Sequence, residues 1–221
     1  MKYYKIDWDY DNLDVIGNYP QVTLKKGYNP SLPSGYWQVK PHEFPNFVPS
    51  LELELHKKAK PTDYLEQYVN FGMIVSTRLK SSLEKFDLPS HAFYPIKVYH
   101  KEELLEYYWF HYIVDDFWSW INKSESKAII YDDKDEYSVV SEVDLSLTSD
   151  EIQKIKKSLS WHQHMQWEKI VLNSNYPKYD VLKISNIEYF GALISERLLN
   201  ALQEAGMTGF RVRLFDKIIC E

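Results

Sequence analysis

The side chains able to do acid–base, nucleophilic or metal chemistry gather in a few places along the 221 residues. Trp161-His162-Gln163-His164-Met165-Gln166-Trp167 holds two imidazoles, and Asp115-Asp116 pairs two carboxylates behind an apolar run. Together these four residues are the set a metal-dependent hydrolase would draw on, with carboxylates and imidazoles sharing an ion and activating a water. The spacing argues against it. On a helix, residues two apart point about 200° away from each other, so His162 and His164 can share a metal only if the segment is extended, and no third ligand stands at a telling distance. Asp7, Asp9, Asp11 and Asp14 have the look of a calcium loop but lack its central glycine and closing glutamate, and read as a solvated turn. His111, alone among aromatics, reads as a core residue. The tip Asp132-Asp133-Lys134-Asp135-Glu136 joins two predicted strands and offers negative charge without catalytic partners.

Two serines come closest to a nucleophile signature. The stretch Phe71-Gly72-Met73-Ile74-Val75-Ser76-Thr77-Arg78-Leu79-Lys80-Ser81-Ser82-Leu83 returns 119 residues later as Phe190-Gly191-Ala192-Leu193-Ile194-Ser195-Glu196-Arg197-Leu198-Leu199-Asn200-Ala201-Leu202. Six of the 13 positions are identical, where ordinary residue usage gives roughly one by chance. A serine nucleophile on a strand-to-helix turn wants glycine on both sides, and here the neighbours are Val75 and Thr77, or Ile194 and Glu196. Ser76 and Ser195 are therefore predicted N-caps, and Arg78 and Arg197 are predicted to brace the fold or pair with a neighbouring carboxylate.

These residues need elements to carry them. A short buried strand runs into each cap. Behind it Leu79, Leu83 and Phe86, or Leu198, Leu202 and Ala205, fall at i, i+4 and i+7 and give each helix one apolar face. Asp87-Leu88-Pro89 and Gly206 stop the helices, and strands follow over 91–99 and 209–215. The internal repeat thus spans 71–99 and 190–216. Residues 107–114 are apolar on both faces, as in a central strand. Strands are also expected over 3–8, at a sheet edge, and over 35–39, 51–55, 128–131, 137–147 and 180–184; a helical turn is expected over 62–68, capped by Thr62 or Asp63. Thr148 to Glu151 is a capping box opening a helix that buries Ile152, Ile155 and Leu159. Pro30, Pro33, Pro41, Pro45 and Pro49 predict an irregular segment. The fold class is α+β: a mixed sheet with two related strand-helix-strand units behind an irregular, proline-rich N-terminal region, divided into residues 1–64 and 65–221.

Composition narrows the function. Aromatic residues make up 16% of the chain, which favours sheet and large contact surfaces, and the net charge of −6 argues against direct nucleic-acid binding and for a basic partner. One cysteine, Cys220, rules out an intrachain disulfide or thiolate cluster. No apolar run is long enough to cross a bilayer, and the start of the chain lacks a signal peptide's apolar core, so a cytoplasmic location is expected.

The order of parts resembles a bacterial family, first catalogued as a domain of unknown function, among the immunity proteins of polymorphic toxin systems. The pieces that carry the resemblance are Ile74-Val75-Ser76-Thr77-Arg78-Leu79, Phe93-Tyr94-Pro95, Tyr107-Tyr108 running to Asp116, Asp180-Val181-Leu182, and Ile194-Ser195-Glu196-Arg197-Leu198 running to Gly209-Phe210, spread over residues 65–215. The resemblance implies a non-enzymatic cytoplasmic protein, with no catalytic residue, metal or cofactor, that binds and neutralises a toxin. On charge and composition that toxin is expected to be basic, possessing the cationic cleft of many nucleases, with Asp132, Asp133, Asp135 and Glu136 as one contact patch. The rival classes are the hydrolase of Asp115, Asp116, His162 and His164, and a small-ligand module at the junction of the two repeat units.

Overall fold

A strand that is apolar on both faces needs a core on each side, and the run at 107–114 has both. The computed structural model describes residues 1–114, 117–134, 137–184, 186–188 and 191–220. Along the chain lie β1 (Tyr3–Trp8), α1 (Leu13–Ile16), β2 (Val22–Leu24), β3 (Glu52–Leu55), β4 (Tyr64–Leu65), β5 (Met73–Ser76) and α2 (Thr77–Leu83). Then come β6 (Ser90–His100), β7 (Glu103–Ile113), β8 (Lys127–Asp132), β9 (Ser138–Glu142), α3 (Ser149–Ser158) and β10 (Gln163–Leu172). Last are β11 (Val181–Leu182), β12 (Ala192–Ser195), α4 (Glu196–Glu204), β13 (Phe210–Phe215) and β14 (Ile218–Cys220). The α+β class holds.

Among the described residues three sheets form: β2-β3-β6-β7-β5-β4, β11-β12-β1-β13 and β14-β10-β8-β9. The period-2 alternation of each inner strand sends its side chains into different cores. From β7, Tyr107 and Trp109 join Leu53, Leu65, Ile74 and Val98, while Phe110 and Tyr112 join Val75, Leu79, Ile194 and Leu198 on the opposite face. The second sheet repeats the device. Its Ile6, Ala192 and Ile194 belong to the core shared with α2 and α4, and its Tyr3, Leu193 and Phe215 to a third core with Trp167, Ile170 and the α3 residue Ile152.

Several local expectations give way to tertiary context. β1 lies inside its sheet, paired on one side with β12 and on the other with β13, and is no edge. Residues 36–38 form a 3-10 turn in place of a strand. The helical turn expected over 62–68 is the strand β4, pairing Tyr64 with Val75 and Leu65 with Ile74. The strand foreseen over 137–147 ends at Glu142. The capping box is as read: Thr148 accepts from the Glu151 N–H and the Glu151 carboxylate accepts from the Thr148 N–H. Of the two repeated glycines only the first is demanded by space. Gly72 has φ +77°, and a Cβ there would sit 2.3 Å from the Phe110 carbonyl oxygen, whereas one on Gly191 would meet nothing closer than 3.7 Å.

Candidate partner-binding surface

The twin serines are caps. Ser76 accepts from the Leu79 N–H and Ser195 from the Leu198 N–H, each at 3.1 Å. Each hydroxyl donates in turn to an aspartate that the sequence reading had not tied to it, Ser76 to Asp63 at 2.8 Å and Ser195 to Asp180. The same aspartates take the arginines: Arg78 lies 3.2 Å from Asp63, and Arg197 donates through Nε to Asp180 at 2.7 Å and through Nη2 to Asp180 and Asp87. The bonds to Asp180 and then Asp87 hold the Arg197 guanidinium firmly protonated. Each aspartate also reaches across to the other unit. Asp63 accepts the N–H of Thr208, just beyond α4, and Asp180 accepts the N–H of Asp87, just beyond α2, both at 2.9 Å. The helices thus lie in a reciprocal clasp, and their polar residues are spent on architecture. A signal was present in the sequence: an aspartate followed by two apolar residues precedes each serine, by 13 and 15 residues.

His111 is a core residue, fully buried against the rings of Trp109, Phe71, Phe44 and Tyr94. Neither ring nitrogen makes a hydrogen bond of good geometry among the described residues. Burial lowers its pKa, nearby Lys183 and His42 push the same way, and the Pro41 carbonyl opposes them. The neutral ring is therefore favoured in the folded state, and the unfolded chain takes up a proton first, near pH 6.5. The sign follows: this contribution is complete above that value and is lost as pH falls through it, until the folded ring protonates as well. His111→Phe is expected to flatten the fall in urea midpoint between pH 7.5 and pH 5.5; an unchanged slope would show that His111 is not its source.

The acidic tip and the histidine segment, 30 residues apart in sequence, meet in the third sheet. The stretch is extended from Gln163 onward, and β10 pairs with β8 so that Gln163 faces Asp132 and His164 faces Tyr131. Asp133 donates its N–H to the His162 carbonyl at 3.0 Å. Each imidazole then finds one carboxylate: His162 Nε2 lies 3.2 Å from Asp132, and His164 Nε2 lies 3.3 Å from Asp133. Asp135 and Glu136 lie outside the described residues. Around the pairs stand aromatic rings, with Tyr131 stacked on Tyr137 at 5.6 Å and against His164 at 5.4 Å. Tyr137 is 72% exposed and Trp161 is 87% exposed, the latter touching the His162 ring edge-on at 5.4 Å. Beside them a hollow of about 410 Å³ is lined by Tyr131, Lys156, Leu159, Trp161, His164 and Ile187. Exposed aromatics at the mouth of a hollow of mixed polarity, which Ser160, Gln163 and Glu188 also line, with carboxylates beside them, are the kind of surface that protein contacts use.

Asp115 and Asp116 lie outside the described residues, and His162 and His164 are engaged by Asp132 and Asp133. No group of three or more potential ligands converges among the described residues. At the junction of the two repeat units, a cavity bounded by Ile6, Tyr64, Gly72, Tyr112, Gly191 and Ala192 measures about 30 Å³, room for a water, and a hollow of about 710 Å³ that shares Phe71 and Lys183 with it opens beside Val39, His42, Gln153 and Lys156. Among the described residues no helix is long and apolar enough to cross a membrane.

A comparison with curated proteins finds no match. A comparison with protein families matches residues 2–155 to the immunity protein family Imm11. The match takes in residues 2–64, outside the span of the resemblance, and stops before the second strand-helix unit. It embraces the clasped first unit, the whole six-stranded sheet and the acidic hairpin, more than two thirds of the chain. On that coverage, the chain belongs to the Imm11 immunity protein family.

Proposed function

We propose that this protein protects a bacterial cell by binding a cognate toxin in the cytoplasm and covering its active cleft, without chemistry of its own. Family membership supports the toxin as partner. The observation that carries the mode of action is the distribution of charge. Residues 132–151 hold eight acidic residues and one lysine, so this one stretch exceeds the −6 of the entire chain. A basic toxin, such as a nuclease whose cleft is built to hold phosphates, would be drawn to that surface and lose access to its substrate. Asp132 and Asp133 are assigned to the contact, with Asp135 and Glu136 beside them in sequence.

The test is co-expression with the polymorphic toxin domain encoded beside this chain. A stable complex and relief of growth arrest support the reading; folded protein that neither binds nor rescues refutes it. Within the complex, replacing Asp132 and Asp133 together by lysine is expected to weaken binding about tenfold or more at low ionic strength, and less as salt rises. Affinity indifferent to the reversal at low salt would remove this patch from the interface.

A further inference from the structure

Among the described residues six strands border the three sheets, and five of them are guarded in familiar ways. β2, β4, β11 and β14 are only two or three residues long, and β13 carries Arg211 and Arg213. β9 is different. It bears Ser-Val-Val-Ser-Glu, with no proline, lysine or arginine, and all five residues are exposed. Val139 is 59% and Val140 52% exposed. Its one charge, Glu142, stands at the last position and is held by Lys127 at 3.2 Å. On one side β9 pairs with β8; the other side borders no strand among the described residues.

We propose that a basic, extended segment of the toxin adds to β9 as a fifth strand of the sheet β14-β10-β8-β9. This rests on the reading that the protein binds a toxin, and it specifies how. An unpaired strand edge offers a row of backbone N–H and C=O groups whose pairing supplies affinity, and alternate side chains supply specificity. The flanking charge selects the occupant. Asp132, at the end of β8, and Asp133, in the turn that leads to β9, stand on one side of it in the chain, and Asp144 and the first turn of α3 with Asp150 and Glu151 follow on the other, so lysines or arginines along an added strand are attracted on either flank. Tyr137 and Val139, beside the ring of Tyr131, give the incoming side chains an apolar platform. The bulge in β9 is the guard against indiscriminate pairing. Ile130 faces Ser141 and Tyr131 faces Val139, leaving Val140 outside the register, so a flat strand such as a second β9 fits poorly.

The experiment is amide hydrogen exchange on the whole chain, alone and with the co-encoded toxin, following peptides that cover 137–143. Strand addition is expected to slow exchange in β9 about tenfold or more. Toxin captured while these amides exchange as before overturns strand addition and leaves toxin binding standing; failure to capture the toxin removes both. Val140→Pro and Val140→Ala make a second, independent check, because Val140 lies outside the register with β8. The proline is expected to weaken the complex about tenfold or more, and the alanine about threefold at most, since backbone pairing dominates strand addition. Equal weakening by both would mean that the valine side chain and not the backbone makes the contact. Should the proline variant lose its unfolding midpoint, the exchange result on the native chain decides.

Discussion

Asp180→Ala is expected to lower the thermal midpoint by about 6–12 °C, corresponding to about 3 kcal/mol in a domain of this size. The carboxylate is fully buried and accepts from the Ser195 hydroxyl, the Asp87 N–H at 2.9 Å and Arg197 Nε at 2.7 Å. Removing it leaves a buried hydroxyl and a backbone N–H without their acceptor and an arginine without its main partner. Losing one member of a buried pair costs about 3–5 kcal/mol, and the lower end applies here because the Arg197 side chain is half exposed and keeps Asp87. Asp63→Ala, at the equivalent station, removes bonds from Ser76 at 2.8 Å and Thr208 at 2.9 Å and an arginine that is more loosely held. Its cost is expected to be about 2 kcal/mol. Because α2 and α4 touch and each aspartate ties down the other unit, the double variant is expected to depart from the sum of the singles. Thermal unfolding followed by circular dichroism measures all three. A shift under about 1 °C for Asp180→Ala would mean that water replaces the clasp at no cost.

Trp161→Ala is expected to raise the dissociation constant of the toxin complex about thirtyfold or more, a loss of about 2 kcal/mol or above, without moving the unfolding midpoint. Both halves follow from position. With 87% of its surface exposed, the ring contributes little to the folded chain, and substitutions at such sites stay within about 0.5 kcal/mol. In a complex it has a large apolar area still to bury, beside a hollow and next to carboxylates that attract a basic partner. Trp37, also well exposed but on the 3-10 turn of the N-terminal region, is the control and is expected to be neutral. Calorimetric titration of both variants separates the cases. Weakening by Trp37→Ala alone would move the docking surface to the N-terminal region.

What the sequence disclosed is what local chemistry decides. Ser76 and Ser195 cap because a hydroxyl before a run of helix formers can take the free N–H groups of a first turn, and Thr148 and Glu151 box for the same reason. Residues 107–114 announce a central strand because both faces are apolar. What remained hidden depends on partners far away in sequence. The pattern in β1 is that of a strand, but nothing local tells how many neighbours it has. Residues 62–68 look like a capped turn, yet Asp63 receives Ser76 and Thr208 instead of its own helix, and Tyr64 pairs with Val75. In the sequence the acidic tip is a candidate contact patch and the two histidines stand too far apart on a helix to share a metal, with nothing to link the tip to the histidines. The β8–β10 ladder joins them by turning the histidine segment into a strand. The clasp escaped for a related reason: its aspartates stand more than a dozen residues ahead of the serines they hold.

The place of β1 has a consequence for how the protein is made. Tyr3 pairs with Ser195 and Phe215, so β1, once made, waits for partners about 190 residues downstream. At about 5–20 residues per second that is roughly 10–40 s during which Tyr3, Ile6 and Trp8 have no sheet to join. The six-stranded sheet can close earlier, since β2 to β7 are complete by Ile113. Synthesis thus passes through a half-built state in which β1 stays unpaired until β12 and β13 follow, and a chain interrupted before them lacks the strands that enclose β1.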